Sequence, residues 1–467
     1  MTSRTTAVME TIRSRIAARA LAPGDRVPSI RSLAASLSVS PSTVVEAYDR
    51  LAADGTIISR PGSGFYVSSG TQPFALANVG PRRDRAVDPL WVSRQSLDAA
   101  PSVIRPGCGW LPPDWLPQDS LRKAIRAAAR SDAVILSDYG SARGLSALRG
   151  HLSRQFQSEG LNASPDQILL TPSGSQSIDL ICRFLLRPGD TVLVDDPCYF
   201  NFHAVLRAHQ VKVVSVPYTA TGPDADAFSK VLLEAAPRVY LTNSALHNPT
   251  GATMTPQVAH RILSAATAHD VIIVEDDIFA GFEPELSARL ATLDGLARVI
   301  RIGSFSKILS PAMRCGYIAA RPDWIEALTD LQIATNFGGP DALVTEIVHA
   351  ALTDSSYRRN VETLRRRLSA ARSTVAARLE PLGIRPKLMP RGGFYLWCQL
   401  PGGLDAADVA RRALERSIVL APGNVFSVSE SATDWMRFNV SQMSDPLVFE
   451  VLQEVTGVGH LGPRSSE

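Results

Sequence analysis

Two unlike folds follow one another in this 467-residue chain. A small α+β module opens it, and a larger α/β domain with a mostly parallel sheet follows. Three observations predict this. The length exceeds what one hydrophobic core usually supports, so two or more domains are expected. The first 70 residues carry three helix-like apolar stripes and then a strand, a tight turn and a strand. After residue 100, short β-branched runs alternate with helix-like stretches, the pattern of a parallel sheet buried on both faces.

Composition narrows the class. The chain is 45% hydrophobic and 20% charged, ordinary values for a globular protein. The formal charge is +3. Residues 1–70 hold eight arginines against five carboxylates, so the same excess sits on a short module, where it counts for more. The five cysteines, Cys108, Cys182, Cys198, Cys315 and Cys398, are scattered and show no Cys-x-x-Cys spacing. This argues against a disulfide framework and a zinc site, and no metal is expected. The N-terminus lacks the apolar segment of a signal peptide, and no run of 18 apolar residues occurs. A cytoplasmic protein without a membrane span is the plain reading.

Val8, Ile12 and Ile16 recur every four residues and predict a first helix. Pro23-Gly24-Asp25 breaks the chain. A second helix starts at Ser29, with Ile30, Leu33, Ala34 and Leu37 as its buried face. Ser38-Val39 turns. Ser40 suits the cap of a third helix and Pro41 its first position. Val44, Ala47, Tyr48 and Leu51 form its apolar stripe, and Gly55 ends it. Residues 57–60 and 64–67 flank Pro61-Gly62-Ser63 as a small hairpin. Helix, turn, helix and hairpin make a winged helix-turn-helix. Its third helix would enter the major groove by its N-terminal end, which presents Ser42 and Thr43 to base edges. Arg31 and Arg60 are placed for phosphate or groove contacts. Glu46 and Asp49 repel phosphate and should point away from it. The competing reading is a helical protein-interaction domain with incidental arginines.

Residues 71–100 lack strong periodicity. Pro73, Pro81 and Pro89, with the charged run at 82–85, predict a linker. The larger domain then covers 101–455. Its main part spans about 130–340, its smaller part comes from about 101–129 and 341–455, and 456–467 form a flexible tail. Strands are expected at 168–170, 191–194, 211–214, 239–241, 271–274 and 299–302, with helices between most of them, for example 176–186 and 256–268.

In sheets of this kind, ligands bind at the C-terminal ends of the strands. Ser173-Gly174-Ser175-Gln176 follows the first strand and opens a helix, where free N–H groups suit a phosphate. Tyr199 follows the second strand and could stack on a planar ring. Asn248 in Asn-Pro-Thr-Gly could offer an amide to a ring hydroxyl. Asp276, in Glu275-Asp276-Asp277, ends another strand, where a carboxylate could keep a pyridinium nitrogen protonated. Each motif also has a bland reading: a tight turn, a core aromatic, a capping Asn, an acidic strand end. Lys307 is the only lysine between Lys230 and Lys387 in a chain with five lysines and 43 arginines. It lies between Ser304 and Arg314 and has the chemistry to hold an aldehyde beside a phosphate, which arginine cannot do.

The run from Pro23 to Arg31, continued by Val39-Ser40-Pro41-Ser42-Thr43-Val44 and Tyr48, resembles the GntR-type winged helix. Members of that family bind double-stranded operator DNA as dimers. The motifs from about residue 100 to 455 resemble the fold-type I, class I/II aminotransferases, which use pyridoxal 5′-phosphate. That resemblance implies that Lys307 binds the cofactor covalently and that Asp276 pairs with its pyridine nitrogen. It places Asn248 at the ring hydroxyl and Tyr199 on the ring face. Ser175, Gln176, Ser304 and Arg314 would surround the phosphate. Tyr139, in Tyr-Gly-Ser-Ala-Arg-Gly, would reach the phosphate of a partner subunit, and Arg437 would clamp the carboxylate of a substrate or effector. Residues 391–397 match the start of the small C-terminal domain.

The whole chain is similar to MocR-type regulators of the GntR family, in which a head-to-tail homodimer positions two DNA-binding modules. The resemblance implies a transcriptional regulator that senses an amine, an amino acid or the cofactor. The alternative is a working aminotransferase acting on an amino acid and a 2-oxo acid. One departure bears on the choice. The family usually carries a tyrosine two or three residues after the pyridine-binding aspartate, and Ile278 and Phe279 stand there. A lost hydrogen bond to the ring phenolate puts efficient transamination in question.

Overall fold

The computed structural model describes residues 4–17, 21, 24–60, 63–68, 87–130, 133–137 and 139–457. Of the sequence expectations, Pro23, Pro61, Gly62, the linker from 71 to 86 and the tail from 458 onward lie outside the described residues. The chain divides into two compact units, 1–80 and 81–467.

The first unit runs α1 (Arg4–Ala17), α2 (Ile30–Leu37), α3 (Pro41–Ala53), β1 (Ile57–Arg60) and β2 (Gly64–Val67). The expected caps start the helices. Ser29 Oγ accepts from Ser32 N–H at 3.1 Å, and Ser40 Oγ accepts from Thr43 N–H at 3.2 Å. Ser38 turns the chain between them with φ 52°. The three stripes meet in one core with Val8, Ile12, Leu33, Val44, Tyr48 and Leu51. Tyr48 joins α3 to both flanks. Its hydroxyl donates to Pro28 O at 2.7 Å, and its ring meets Phe65 of β2 edge-on at 5.1 Å.

The second unit opens with α4 (Pro89–Leu97), inside the stretch expected to be a linker. Asp88 caps it by accepting from Leu90 N–H at 3.1 Å. The helix buries Trp91, Val92, Gln95 and Ser96. Two of those four are polar, so the face gives no clear apolar stripe in the sequence.

Among the described residues, eight strands form the main sheet: β3 (Ile168–Thr171), β4 (Thr191–Asp196), β5 (Lys212–Thr219), β6 (Gly222–Pro223), β7 (Val239–Thr242), β8 (Ile272–Asp276), β9 (Val299–Ser304) and β10 (Gly316–Ala319). Their spatial order is β3-β10-β9-β8-β7-β4-β5-β6. The central strands pair in parallel, and β10 is antiparallel to both neighbours. Among the described residues, ten helices belong to this part: α5 (Gln118–Ala128), α6 (Ala133–Ser137), α7 (Ser146–Ser158), α8 (Gly174–Leu185), α9 (Phe200–Ala208), α10 (Ala225–Ala235), α11 (Pro256–Ala268), α12 (Leu290–Asp294), α13 (Pro322–Asn336) and α14 (Ala342–Thr353). Alternate strand residues serve opposite faces, as the pleat requires. Leu193, Tyr240 and Ile273 pack with α7, α10 and α11, whereas Val192, Leu241 and Val274 pack with α8, α9 and α13.

The long helix α15 (Tyr357–Leu379) leads to a second, antiparallel sheet. It contains β11 (Arg385–Pro386), β12 (Tyr395–Gln399), β13 (Ala421–Pro422) and β14 (Trp435–Asn439), in the order β11-β12-β14-β13. With α16 (Ala406–Glu415) and α17 (Leu447–Thr456) it shares one core. Among the described residues, no helix is long and apolar enough to cross a membrane.

Acidic residues at the end of β8 are held by a buried ionic network. Glu275 accepts from the N–H groups of Leu290 and Ala291, each at 2.8 Å, at the start of α12. Asp277 accepts from Arg289 Nε at 2.7 Å and Arg301 Nη2 at 2.5 Å. Arg301 also pairs with Glu159 at 2.6 Å and lies over the Phe156 ring at 4.5 Å. Removing one member of a buried pair strands the other charge, at about 3–5 kcal/mol. Asp277→Ala should therefore lower stability by about that amount in urea unfolding. Loss of the exposed pair between Arg13 and Glu10 should stay within about 1 kcal/mol. An Asp277→Ala protein with the wild-type midpoint would show that the network does not support the fold.

Candidate active site and nucleic-acid interface

A cavity of about 500 Å³ opens at the C-terminal ends of the parallel strands. Eight residues singled out in the sequence line it: Ser175, Tyr199, Asn248, Asp276, Ser304, Lys307, Arg314 and Arg437. They arrive from separate elements. Ser175 lies in the first turn of α8, Tyr199 caps α9, Asp276 ends β8 and Ser304 ends β9. Arg437 comes from β14 of the small sheet. Gln176 and Tyr139 are not among the lining residues. Gln176 N–H donates to Ser173 Oγ at 3.1 Å, as part of the α8 cap. Tyr139 is 77% exposed and its ring meets exposed Phe337 edge-on at 5.0 Å.

Burial sets the charges. It pulls the Lys307 amine down to about 8, and Arg437 adds to the effect. The amine donates to Gly109 O at 2.6 Å. Burial pushes the Asp276 carboxyl up to about 7, against the opposing hydrogen bond from Ile278 N–H at 3.1 Å. Both groups thus lean towards their neutral forms. Arg437 is 1% exposed. Its Nη1 donates to Asn248 Oδ1 and its Nη2 to Gly107 O, each at 2.8 Å, while Nε has no partner among the described residues. Its guanidinium lies 4.1 Å from the centre of the Tyr395 ring and 4.8 Å from that of Phe426.

Part of the cavity wall has groups that suit an anion. Ser173, Gly174 and Ser175 sit at the start of α8, where first-turn N–H groups lack intrahelical carbonyls and the helix dipole is positive. Ser304 and Ser306 add hydroxyls, their oxygens 3.0 Å apart, and Arg314 adds an exposed cation. Sequence reasoning missed Ser306, Gly109 and Tyr395. It also missed the wall formed by Val92, Ser93, Ser96 and Leu97 of α4. The two glycines around Cys108 were the available signal. A side chain at Gly107 would strike the Leu420 backbone at 2.4 Å.

In the first unit, Arg31, Ser42 and Arg60 are exposed and Thr43 is half-buried. Ser40 Oγ lies 2.8 Å from both Ser42 Oγ and Thr43 Oγ1. The Arg60 guanidinium rests over Tyr66 at 4.5 Å. Glu46 is paired with Arg50 at 2.6 Å and so presents little net charge.

Comparison with known proteins agrees with this architecture. Residues 114–455 match the family model for aminotransferase class I and II, and residues 4–67 match that for bacterial regulatory proteins of the gntR family. The chain therefore belongs to the class I and II aminotransferase family and carries a gntR-family module ahead of that domain. Together the two make it a MocR-type member of the GntR regulators. It is 30% identical to the uncharacterized HTH-type transcriptional regulator YdcR of Escherichia coli, over 92% of this chain and 94% of that one. It is 29% identical to 2-aminoadipate transaminase of Thermus thermophilus, over 74% and 87% respectively. Among solved structures, it is similar to LysN, the α-aminoadipate aminotransferase of Thermus thermophilus in complex with N-(5′-phosphopyridoxyl)-L-leucine. The TM-score is 0.69 at 25% identity, covering 76% of this chain and 92% of that one.

The raised Asp276 carboxyl has a definite pH signature. The folded protein holds this proton up to about pH 7, whereas an unfolded chain loses it near pH 4. The unliganded protein should therefore lose stability as pH rises from about 4 to 7. Asp276→Asn removes that slope, so its advantage over wild type should grow across the window, by up to about 4 kcal/mol. Urea unfolding at several pH values checks this, and a pH-independent difference would contradict it. Lys307 acts in the opposite sense at higher pH, with stability rising between about 8 and 10.5.

Proposed function

We propose that the protein is a cytoplasmic, DNA-binding transcriptional regulator whose aminotransferase-like domain holds pyridoxal 5′-phosphate and senses an amine, an amino acid or the cofactor. The observation that carries it is the pairing, in one chain, of a gntR-family module with a cavity that gathers Lys307, Asp276 and Arg437.

The residues present fit the cofactor. The depressed Lys307 amine suits covalent attachment of an aldehyde. Asp276 needs a cationic partner to carry charge at its depth, and a pyridinium nitrogen is one. The start of α8, with Ser304 and Arg314, suits the phosphate. When bound, the cofactor supplies an electron sink for bonds at an amino acid's α-carbon. Lys307 is the group placed to hold or move a proton there. Arg437 is placed to orient a carboxylate, which would take over Nη donors now bonded to Asn248 and Gly107. Asn248 Oδ1 is occupied by Arg437, which leaves the Asn248 amide N–H groups for a ring oxygen. Exposed Tyr139, Phe337 and Leu136 support a homodimer in which Tyr139 serves the partner's cavity. The second reading, a working aminotransferase, is favoured by the likeness to 2-aminoadipate transaminase. The absence of a hydroxyl at Ile278 and Phe279 weighs against it.

In the first unit, Arg31 and Arg60 would meet phosphate, and Ser42 and Thr43 would meet base edges. Ligand binding in the large domain would alter operator affinity by a coupling of about 1–3 kcal/mol, or roughly 5–150-fold. Operator DNA must then change ligand affinity by the same factor.

Two experiments test the proposal. Pyridoxal 5′-phosphate should give the wild-type protein a visible absorbance band that Lys307→Ala abolishes. A band that survives the substitution with the cofactor still covalently attached would refute the assignment of Lys307. In DNA binding, Arg31→Ala and Arg60→Ala should each weaken affinity for all sequences and flatten its salt dependence. Thr43→Ala should alter sequence preference, by about 1–3 kcal/mol at its base. Footprints unchanged by all three would exclude this face. Turnover near ~10 s⁻¹, common for enzymes, with an ordinary amino acid and 2-oxo acid would favour the aminotransferase.

A further inference from the structure

The hydroxyls that face the cavity differ in whether the protein already uses them. Ser304 bonds Ser306 and Cys315 O, and Ser173 caps α8. Ile278 and Phe279, which line the cavity beside Asp276, have none. Tyr395, the first residue of β12, also lines it. Among the described residues its hydroxyl makes no hydrogen bond to protein. The side chain is only 5% exposed, yet Oη is not among the fully enclosed polar atoms, so what reaches it comes from the cavity.

Its place is set on three sides. Phe279 meets the Tyr395 ring edge-on at 5.7 Å. Arg437 lies over that ring at 4.1 Å. On the third side is Gly109: a methyl group built on it would sit 3.3 Å from Tyr395 Oη and 3.6 Å from Lys307 Nζ. Hydroxyl and amine therefore flank one point and lie less than about 7 Å apart. Glycine at 109 keeps the space between them open. The ring that fills position 279 thus buttresses a phenol carried by the other sheet.

Resting on the cofactor-binding reading above, we propose that Tyr395 is a positioning residue of the Lys307 site. Its hydroxyl is the hydrogen-bond donor that holds the lysine-bound cofactor in its deprotonated form, in place of a hydroxyl at 278 or 279. A phenol that donates to a basic nitrogen or a phenolate oxygen stabilises the unprotonated state and lowers its pKa. The charged and titratable groups that face this pair are Arg437, Arg314, Asp276, Cys108 and Tyr199. All of them remain when only the Tyr395 hydroxyl is removed.

The test is a pH titration of the visible absorbance of full-length protein loaded with pyridoxal 5′-phosphate. Tyr395→Phe keeps the ring, the Arg437 contact and the packing on Phe279. It should raise the titration midpoint by about half a unit or more, corresponding to at least a threefold change in the proton equilibrium. Replacing Tyr395 alone with a fluorotyrosine makes the phenol more acidic without changing the packing, and should lower the midpoint. This second variant decides the matter if Tyr395→Phe fails to fold or to load. A midpoint that moves in neither variant overturns the proposal while leaving the cofactor reading intact. No visible band in the wild type removes both.

Discussion

Three acids in a row, Glu275, Asp276 and Asp277, must be buried where β8 ends, and the rest of the site follows from how that is done. Consecutive residues in an extended chain point to opposite faces. Glu275 and Asp277 share one side, where Arg289, Arg301 and the first N–H groups of α12 satisfy them. Asp276 is left facing the cavity with a single backbone N–H from Ile278 on its carboxylate. The neighbouring Asp277 charge raises its carboxyl further. The network behind the sheet therefore anchors the strand end and also leaves one carboxylate short of positive charge.

Arg437 imposes a second constraint, from the other sheet. It reaches across to Asn248, which follows β7, and to the Gly107 carbonyl, which precedes α5. One guanidinium thus joins three distant parts of the chain at the cavity. An incoming carboxylate would compete with those two acceptors for the same donors. Under the proposed function, occupancy by an amino acid and the fit between the two sheets would be linked through one side chain.

Much of this was legible in the sequence where local chemistry dictates structure. Ser29, Ser40 and Pro41 mark helix starts because capping is a local bond. The runs at 168–170, 239–241 and 299–302 mark strands because both faces are covered. Long-range packing was not legible. Strand β10 is four residues long, Gly316–Ala319, and no periodicity announces its antiparallel insertion between β3 and β9. The small sheet pairs Trp397 with Arg437 and Arg437 with Ala421, a register that no neighbour in sequence specifies. Within the site, Asp276 and Lys307 stood out by residue type and strand position. Gln176 is not among the residues that line the cavity, and its N–H belongs to the Ser173 cap. Tyr395 entered the sequence reading only within residues 391–397, as the start of the small domain, since only the fold brings it beside Gly109.

Helix α4 bears on how such chains exchange parts during evolution. The segment that joins the two units does not end where the large domain's family match begins, at residue 114. It has already become wall by Val92, with Trp91 sealed into the core. A recombination joint placed near residue 100 would graft a new N-terminal module at the expense of one side of the ligand cavity. A joint before residue 87 would transfer the module and leave the cavity whole. The modular boundary of this protein, as inheritance would have to respect it, thus lies well upstream of the point where the large domain becomes recognisable.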